Sequence, residues 1–356
     1  MRWERLETLV DRAPQIVDLQ IHGLDLIAAQ RQRARGDTVP ASLVAGERMA
    51  AAIAMAAPVL LRHARAAYDG RLLLFKGPEI AARYPDPAMR NYSDIDLLTD
   101  DAPAAHRALL AAGFARSGLW ADHAALHHLQ PLAWPGLPIA IELHFRTHVP
   151  VGLRPPPTAD LFASAVPARF AGDVVEALGP AEHALVVAAH AWKHGALANI
   201  GQLLDVALLA GETDPATLRA LARRWGWRRL WRATEATLEA LFDDGGAPVA
   251  QRLCGPHLVA ARERTLLERH IADVAGPVFG LPPRRAALEC ARVLRRRIAP
   301  AREETWTRKA RRAQRALRHR RLRHSEHDAR LPNEDLHIGG VAGLERAPAP
   351  EPRGAP

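Results

Sequence analysis

The stretch Leu72–Thr99 reads "LLLFKGPEIAARYPDPAMRNYSDIDLLT". Three leucines and Phe75 form a short apolar run bounded by turn signals, which predicts a buried strand. Lys76-Gly77 closes the run, and Pro78 suits the first turn of a helix, "PEIAARY". Pro85 and Pro87 break any regular element in the loop that follows. "DIDLLT" then alternates polar and apolar residues and predicts a second strand.

Side chains two apart on a strand share a face. Asp94 and Asp96 therefore point one way, while Ile95 and Leu97 point into a core. Further on, "LPIAIELHFRTH" alternates in the same manner. Ile139, Ile141, Leu143 and Phe145 fall on one face, and Glu142, His144 and Arg146 on the other. If these two strands are neighbours, Glu142 joins Asp94 and Asp96. Three acids so placed repel one another unless a cation joins them, and a hard cation with oxygen ligands, Mg2+ or Mn2+, is the natural partner. Such a site usually needs substrate phosphates to complete its shell.

The glycine turn supplies the complement. A strand, a Gly turn and a helix start expose backbone N–H groups that suit a phosphate, and Lys76 adds positive charge there. Arg90, four residues before Asp94, suits a triphosphate or a leaving pyrophosphate. Glu142 is placed to polarise an attacking hydroxyl, as a base or through a second ion. A lone D-x-D is more often a solvated strand end. What gives this one weight is the order of apolar strand, Lys-Gly, helix, Arg, D-x-D and acid-bearing strand.

Outward from this unit, residues 1–70 read as helices packing on the core. "LVAGERMAAAIAMAAPVLLRHARAAY" is alanine-rich with helical spacing. Residues 71–153 form the sheet-bearing unit, and "APAAHRALLAAGF" is a helix within it, with Asp101 in the loop that caps it. "RPPPTAD" at 154–160 is a stiff linker and the expected boundary. Residues 158–300 read as a mainly helical domain, and 301–356 as a basic tail without a core, expected to be disordered. The fold class is thus α+β: a small mixed sheet with flanking helices, plus a mainly helical C-terminal domain.

Net charge is +9 for 356 residues. Between Arg284 and Arg330 lie 17 basic and 5 acidic residues, so the rest of the chain is slightly acidic. The basicity belongs to one segment and says little about the main body. "RKARRAQRALRHRRLRH" at Arg308–His324 suits RNA or another polyanion as well as it suits a solvated tail. "RRWGWRRLWR" at Arg223–Arg232 interleaves Trp with Arg, a pattern that also fits an amphipathic core helix with arginine stems over apolar surface. The two cysteines, Cys254 and Cys290, lack metal spacing and are too few for a disulfide framework. With no apolar signal segment at the N-terminus and no run read as spanning a membrane, the expected location is the cytoplasm, with no membrane partner.

His183, His190 and His194 lie on one helical stripe. His190 and His194 are four apart, but a metal there needs a further acid or imidazole. The plainer reading is a polar lining between helix and sheet. His123, His127 and His128 read as a solvated helix face.

The chain resembles an uncharacterised bacterial nucleotidyltransferase family of the DNA polymerase β superfamily. The residues that carry the resemblance are Lys76-Gly77, Tyr84-Pro85, Arg90, Ser93-Asp94-Ile95-Asp96, Glu142-Leu143-His144, Lys193-His194 and Asp205. The resemblance covers about residues 50–245. It implies metal-dependent attack of an acceptor on the α-phosphate of a nucleoside triphosphate, releasing pyrophosphate. Asp94, Asp96 and Glu142 would be the catalytic metal ligands. Lys76, Gly77, Arg90 and Ser93 would bind nucleotide phosphates, and His144, Lys193, His194 and Asp205 would support them or the acceptor. The superfamily usually has Gly-Ser in its first turn, where this chain has Lys-Gly, and its third acid is more often Asp. The acceptor (small molecule, protein or RNA) is not specified. Two alternatives are a non-catalytic nucleotide- or RNA-binding regulator on the same fold, and an antitoxin-like enzyme that nucleotidylates a protein.

Overall fold

A computed structural model describes residues 2–117, 127–170, 172–300, 304–319 and 321–323. Four helices come first: α1 (Trp3–Arg12), α2 (Ile16–His22), α3 (Asp25–Ala34) and the long α4 (Ala41–Ala67). Strand β1 (Leu72–Leu74) leads into the single turn α5 (Pro78–Ala81), then β2 (Asp94–Thr99) and α6 (Ala102–Ala111). Two short strands, β3 (Ala115–Arg116) and β4 (Leu132–Ala133), precede β5 (Ala140–His144). After α7 (Thr158–Ala163) comes the hairpin β6 (Val166–Phe170) and β7 (Asp173–Ala177). The rest is helical: α8 (Pro180–His194), α9 (Ile200–Ala210), α10 (Pro215–Arg224), α11 (Arg228–Phe242), α12 (Val249–Cys254), α13 (Pro256–Val259), α14 (Leu266–Gly280), α15 (Pro283–Ile298) and α16 (Trp306–Arg318). This is the expected α+β class, a mixed sheet joined to a helical C-terminal region.

The strands form one sheet in the order β3-β4-β5-β2-β1-β7-β6. β2 runs parallel to β5, and β1 parallel to β7; the other pairs are antiparallel. The β2–β5 register sets Asp96 opposite Glu142 and Leu98 opposite His144. On one face, Ile95, Leu97, Ile141 and Leu143 are fully buried against Ile53, Leu60 and Leu61 of α4 and Leu109 of α6. Burying each such side chain contributes about 2 kcal/mol. On the other face, Leu73 of β1 and Leu98 of β2 meet Leu161 of α7 and Val186 of α8. The same face of β2 and β5 carries Asp94, Asp96, Glu142 and His144.

Asp101 caps α6, its carboxylate accepting from the Ala104 N–H at 2.9 Å. α4 is long and apolar enough to cross a membrane by length and composition. Here it packs one face on the sheet and leaves Met49 and Met55 exposed.

The structure differs from the sequence reading in three places. The hairpin β6–β7 follows the proline segment, inside the range assigned to the helical domain, yet it pairs with β1 and extends the sheet. Pro167 is tolerated because β6 is an edge strand. The N-terminal helices also divide. Leu6, Leu9, Leu24 and Ile27 pack with α8, α9 and α11, and among these helices the long face of α4 covers the sheet. Finally, residues 306–318 of the basic tail are helical, capped by Thr305, whose hydroxyl accepts from the Arg308 N–H. Beyond α16, the Leu266 N–H donates to Leu322 O, and Arg323 ion-pairs with the fully buried Asp18 at 3.0 Å. The segment to residue 323 is therefore anchored by a buried charge rather than by an apolar face, which hydropathy does not reveal. The rest of the tail lies outside the described residues.

Candidate active site

The site lies where β1, β2 and β5 present their polar face to α8. Asp96 is fully buried. Its Oδ2 is 2.9 Å from Lys76 Nζ, and its Oδ1 is 2.7 Å from His144 Nε2. Burial favours the neutral acid, but Lys76 and His144 outweigh it and hold Asp96 well below the usual carboxylate range. Glu142, across the parallel register, lies 3.4 Å from His144 Nε2 and 3.7 Å from His128 Nε2. Its burial is likewise overcome, chiefly by His144, so its pKa is lowered. His144 responds in kind. Burial alone would depress it, but the two carboxylates raise its pKa. Asp94 has no such partner among the described residues. Burial and the charge of Asp96 push it up to about 6.

The turn between β1 and α5 is built for close approach. Gly77 sits at φ +78°, and a Cβ on it would stand 2.7 Å from the Asp94 carbonyl oxygen. Only glycine accepts both conditions. α5 is four residues long, so its dipole is small. The turn is fixed from behind by His183, whose Nε2 lies 2.5 Å from Phe75 O. His183 Nδ1 faces Glu79 Oε2 at 3.0 Å, and both side chains are buried. Burial pushes Glu79 up to about 7 and His183 down to about 3. Glu79 Oε1 also meets Arg83 Nη1 at 2.5 Å; when Glu79 is protonated the acid can donate to His183 Nδ1, while His183 donates through Nε2 to Phe75 O.

Arg90 borders the pocket and also meets partners that the sequence did not suggest. Its Nε and Nη2 bind Asp205 Oδ1 and Oδ2 at 2.8 and 2.9 Å, and its Nη1 donates to Gly77 O at 2.9 Å. Tyr84 OH donates to the same Asp205 Oδ1 at 2.8 Å. Burial works against the charged Arg90, and Asp205 more than restores it, raising its pKa. Three of the guanidinium's five N–H groups thus hold the turn, which is a positioning role. Lys76, Arg90, Ser93, Asp94, Asp96 and Asp205 nevertheless border one pocket of about 140 Å3, with His190 on its far wall.

The histidines form a larger group than the sequence suggested. His183 is structural. His190 Nε2 lies 3.5 Å from Lys76 Nζ. His127 stacks on His148, with ring centroids 3.7 Å apart, and also packs near His128 and His144. His127 and His128 therefore line the site instead of a solvated helix face; His123 lies outside the described residues. The sequence signal was available in the doublet at 127–128 and in the four-residue spacing of His144 and His148, but only the return of the chain before β5 brings them together. Lys193 and His194 sit at the end of α8 beside His148.

The sheet thus sets an acid pair on one strand beside a third acid on its parallel neighbour, next to a Lys-Gly turn. Residues 38–243 match the family described as "Uncharacterised nucleotidyltransferase", and the chain belongs to that family. It is a transferase, and nucleotidyl transfer implies a nucleoside triphosphate as substrate. No curated protein matches the sequence.

Proposed function

We propose that the protein is a metal-dependent nucleotidyltransferase that moves a nucleoside monophosphate from an NTP to a hydroxyl of its acceptor and releases pyrophosphate. The observation that carries this reading is the β2–β5 register, which sets Asp96 opposite Glu142 with Asp94 on the same face. The donor set fits a hard divalent cation. Ligand atoms of Asp96, Glu142 and His144 lie within 4.8 Å of one another, and Asp94 stands two residues away on the same strand. The least matching donor is His144, whose imidazole already pairs with Asp96. Asp94, Asp96 and Glu142 would hold Mg2+ or Mn2+, which supplies positive charge to the reacting phosphate and its nucleophile.

The chain's own groups supply the rest. Glu142 remains ionised at neutral pH and is suited to accept the acceptor's proton. Lys76 is the ammonium of the pocket, paired with Asp96 at 2.9 Å. It neutralises Asp96 and can turn its ammonium to a triphosphate oxygen. Ser93 is exposed at the pocket rim, where its hydroxyl suits a phosphate contact. Arg90 and Asp205 hold Gly77, and the Arg90 N–H groups beyond those bonds suit a phosphate in the pocket. The exposed arginines of α16 suit a polyanionic partner such as RNA, and free Cys254 and Cys290 fit a reducing cytoplasm.

The test is incubation of the protein with each α-labelled NTP, Mg2+ and candidate acceptors, alongside the Asp94→Ala/Asp96→Ala variant. Label transfer by wild type and its loss in the variant supports the reading. NTP binding that persists unchanged in the variant, with no label transfer by either, sinks it in favour of a non-catalytic nucleotide-binding module.

A further inference from the structure

We propose that His148, His190 and His194 form a second cation site, distinct from the carboxylates and suited to a transition metal of the zinc type. His190 and His194 lie one turn apart on α8, their ring centroids 4.5 Å apart. The third imidazole, which that spacing alone lacks, comes from the loop after β5. His148 lies 6.0 Å from each of the other two, ring centre to ring centre. One nitrogen from each ring falls within 4.8 Å of the others. Tetrahedral zinc with nitrogens at about 2.1 Å needs them about 3.4 Å apart, so side-chain rotation of roughly 1 Å closes the set. The exposed His194 is free to make that rotation.

The chemistry separates the two sites. Three imidazoles select zinc, cobalt, nickel or copper, whereas carboxylates select magnesium or manganese. Three protein ligands also leave a fourth position open. The surroundings are mixed in charge. Lys76 Nζ stands 3.5 Å from His190 Nε2, and Lys193 adjoins His148 and His194, so two cations oppose the metal. Lys76 is drawn off by Asp96 at 2.9 Å, and Asp96 and Glu142 add negative potential at His194. The ring of His148 is fixed by its stack on His127. Among the described residues, the buried His127 Nδ1 has no hydrogen-bond partner. A metal here would bind α8 to the loop after β5 and so clamp the helical region onto the sheet beside the active site. It does not depend on nucleotidyl transfer at the acids.

The experiment uses the full chain stripped by a chelator, at pH 7.5 and in millimolar Mg2+. Zn2+ is titrated calorimetrically, and Co2+ is titrated with its visible spectrum recorded. The expected result is one zinc per chain and an intense, tetrahedral-type Co2+ absorption. His148→Gln and His194→Gln each weaken zinc by at least about tenfold, the loss that even an outer-shell partner can cause. The Asp94→Asn variant, which leaves the Lys76–Asp96 pair in place, keeps zinc binding. His194→Gln changes an exposed side chain, and far-ultraviolet circular dichroism checks that both His variants fold. Zinc binding unchanged in folded His148→Gln and His194→Gln overturns the proposal. So does binding lost only in the Asp variant, which would put zinc on the carboxylates, and so does the absence of stoichiometric zinc in wild type.

Discussion

Arg90 and Asp205 meet in a two-pronged ion pair although 115 residues separate them. The pair joins the loop before β2 to α9, and the third arm of the guanidinium reaches the Gly77 carbonyl. An element of the helical region thereby fixes the turn of the sheet.

Removing Asp205 leaves a buried guanidinium unpaired and Tyr84 without its acceptor. Asp205→Ala should lower unfolding free energy by about 3–5 kcal/mol. Asp205→Asn, which keeps the shape and one acceptor, should cost less. Chemical denaturation of the three proteins checks this. Equal stability of wild type and Asp205→Ala would refute the positioning role.

Gly77→Ala combines a left-handed φ with a contact of 2.7 Å to the Asp94 carbonyl. Relief requires β2 to shift, and β2 carries both aspartates. The expected cost is about 1–3 kcal/mol of stability, with nucleotide affinity lost in the protein that remains folded. Thermal melting and NTP titration read the two effects separately.

Lys76→Met removes the cation that balances Asp96. The carboxylate is then buried without its ammonium, and stability at neutral pH should fall by several kcal/mol. Millimolar Mg2+ should raise the melting temperature of the variant more than that of wild type, because the ion no longer competes with the ammonium for Asp96. Nucleotide affinity should fall. An identical Mg2+ shift in both proteins would argue against a cation at Asp96.

Glu79 gives a pH signature remote from the metal ligands. Its carboxyl titrates at about 7 in the folded chain against 4.5 ordinarily, so between these values the folded state holds a proton that the unfolded state has lost. Stability from this group is therefore full below pH 4.5 and is lost as pH rises to 7, by at most about 3 kcal/mol. Glu79→Gln should flatten that part of the profile, since an amide still donates to His183 Nδ1. Denaturation curves from pH 4.5 to 7.5 measure the slope.

The acid wall was legible in the sequence because strand alternation is a strict period of two. Asp94, Asp96 and Glu142 share a face as soon as β2 and β5 are neighbours. The glycine turn was legible for the same local reason. The Arg90–Asp205 pair was not, because 115 residues separate its members and only the fold brings them together. The hairpin β6–β7 was hidden by its short, partly polar strands and an internal proline beside a proline-rich segment. The histidine cluster depends on three separate segments meeting, which no local spacing encodes.

The clip between Arg323 and Asp18 carries a practical meaning for anyone trimming the chain. The family match runs from 38 to 243, but Asp18 is fully buried, and its counter-ion comes from a residue 305 positions later. Leu6 and Leu9 lie outside the match as well, and they seal the helices that hold Asp205 and His190 in place. The boundary of shared ancestry and the boundary of cooperative folding are different lines in this molecule, and a fragment cut along the first would be deprived of both seals.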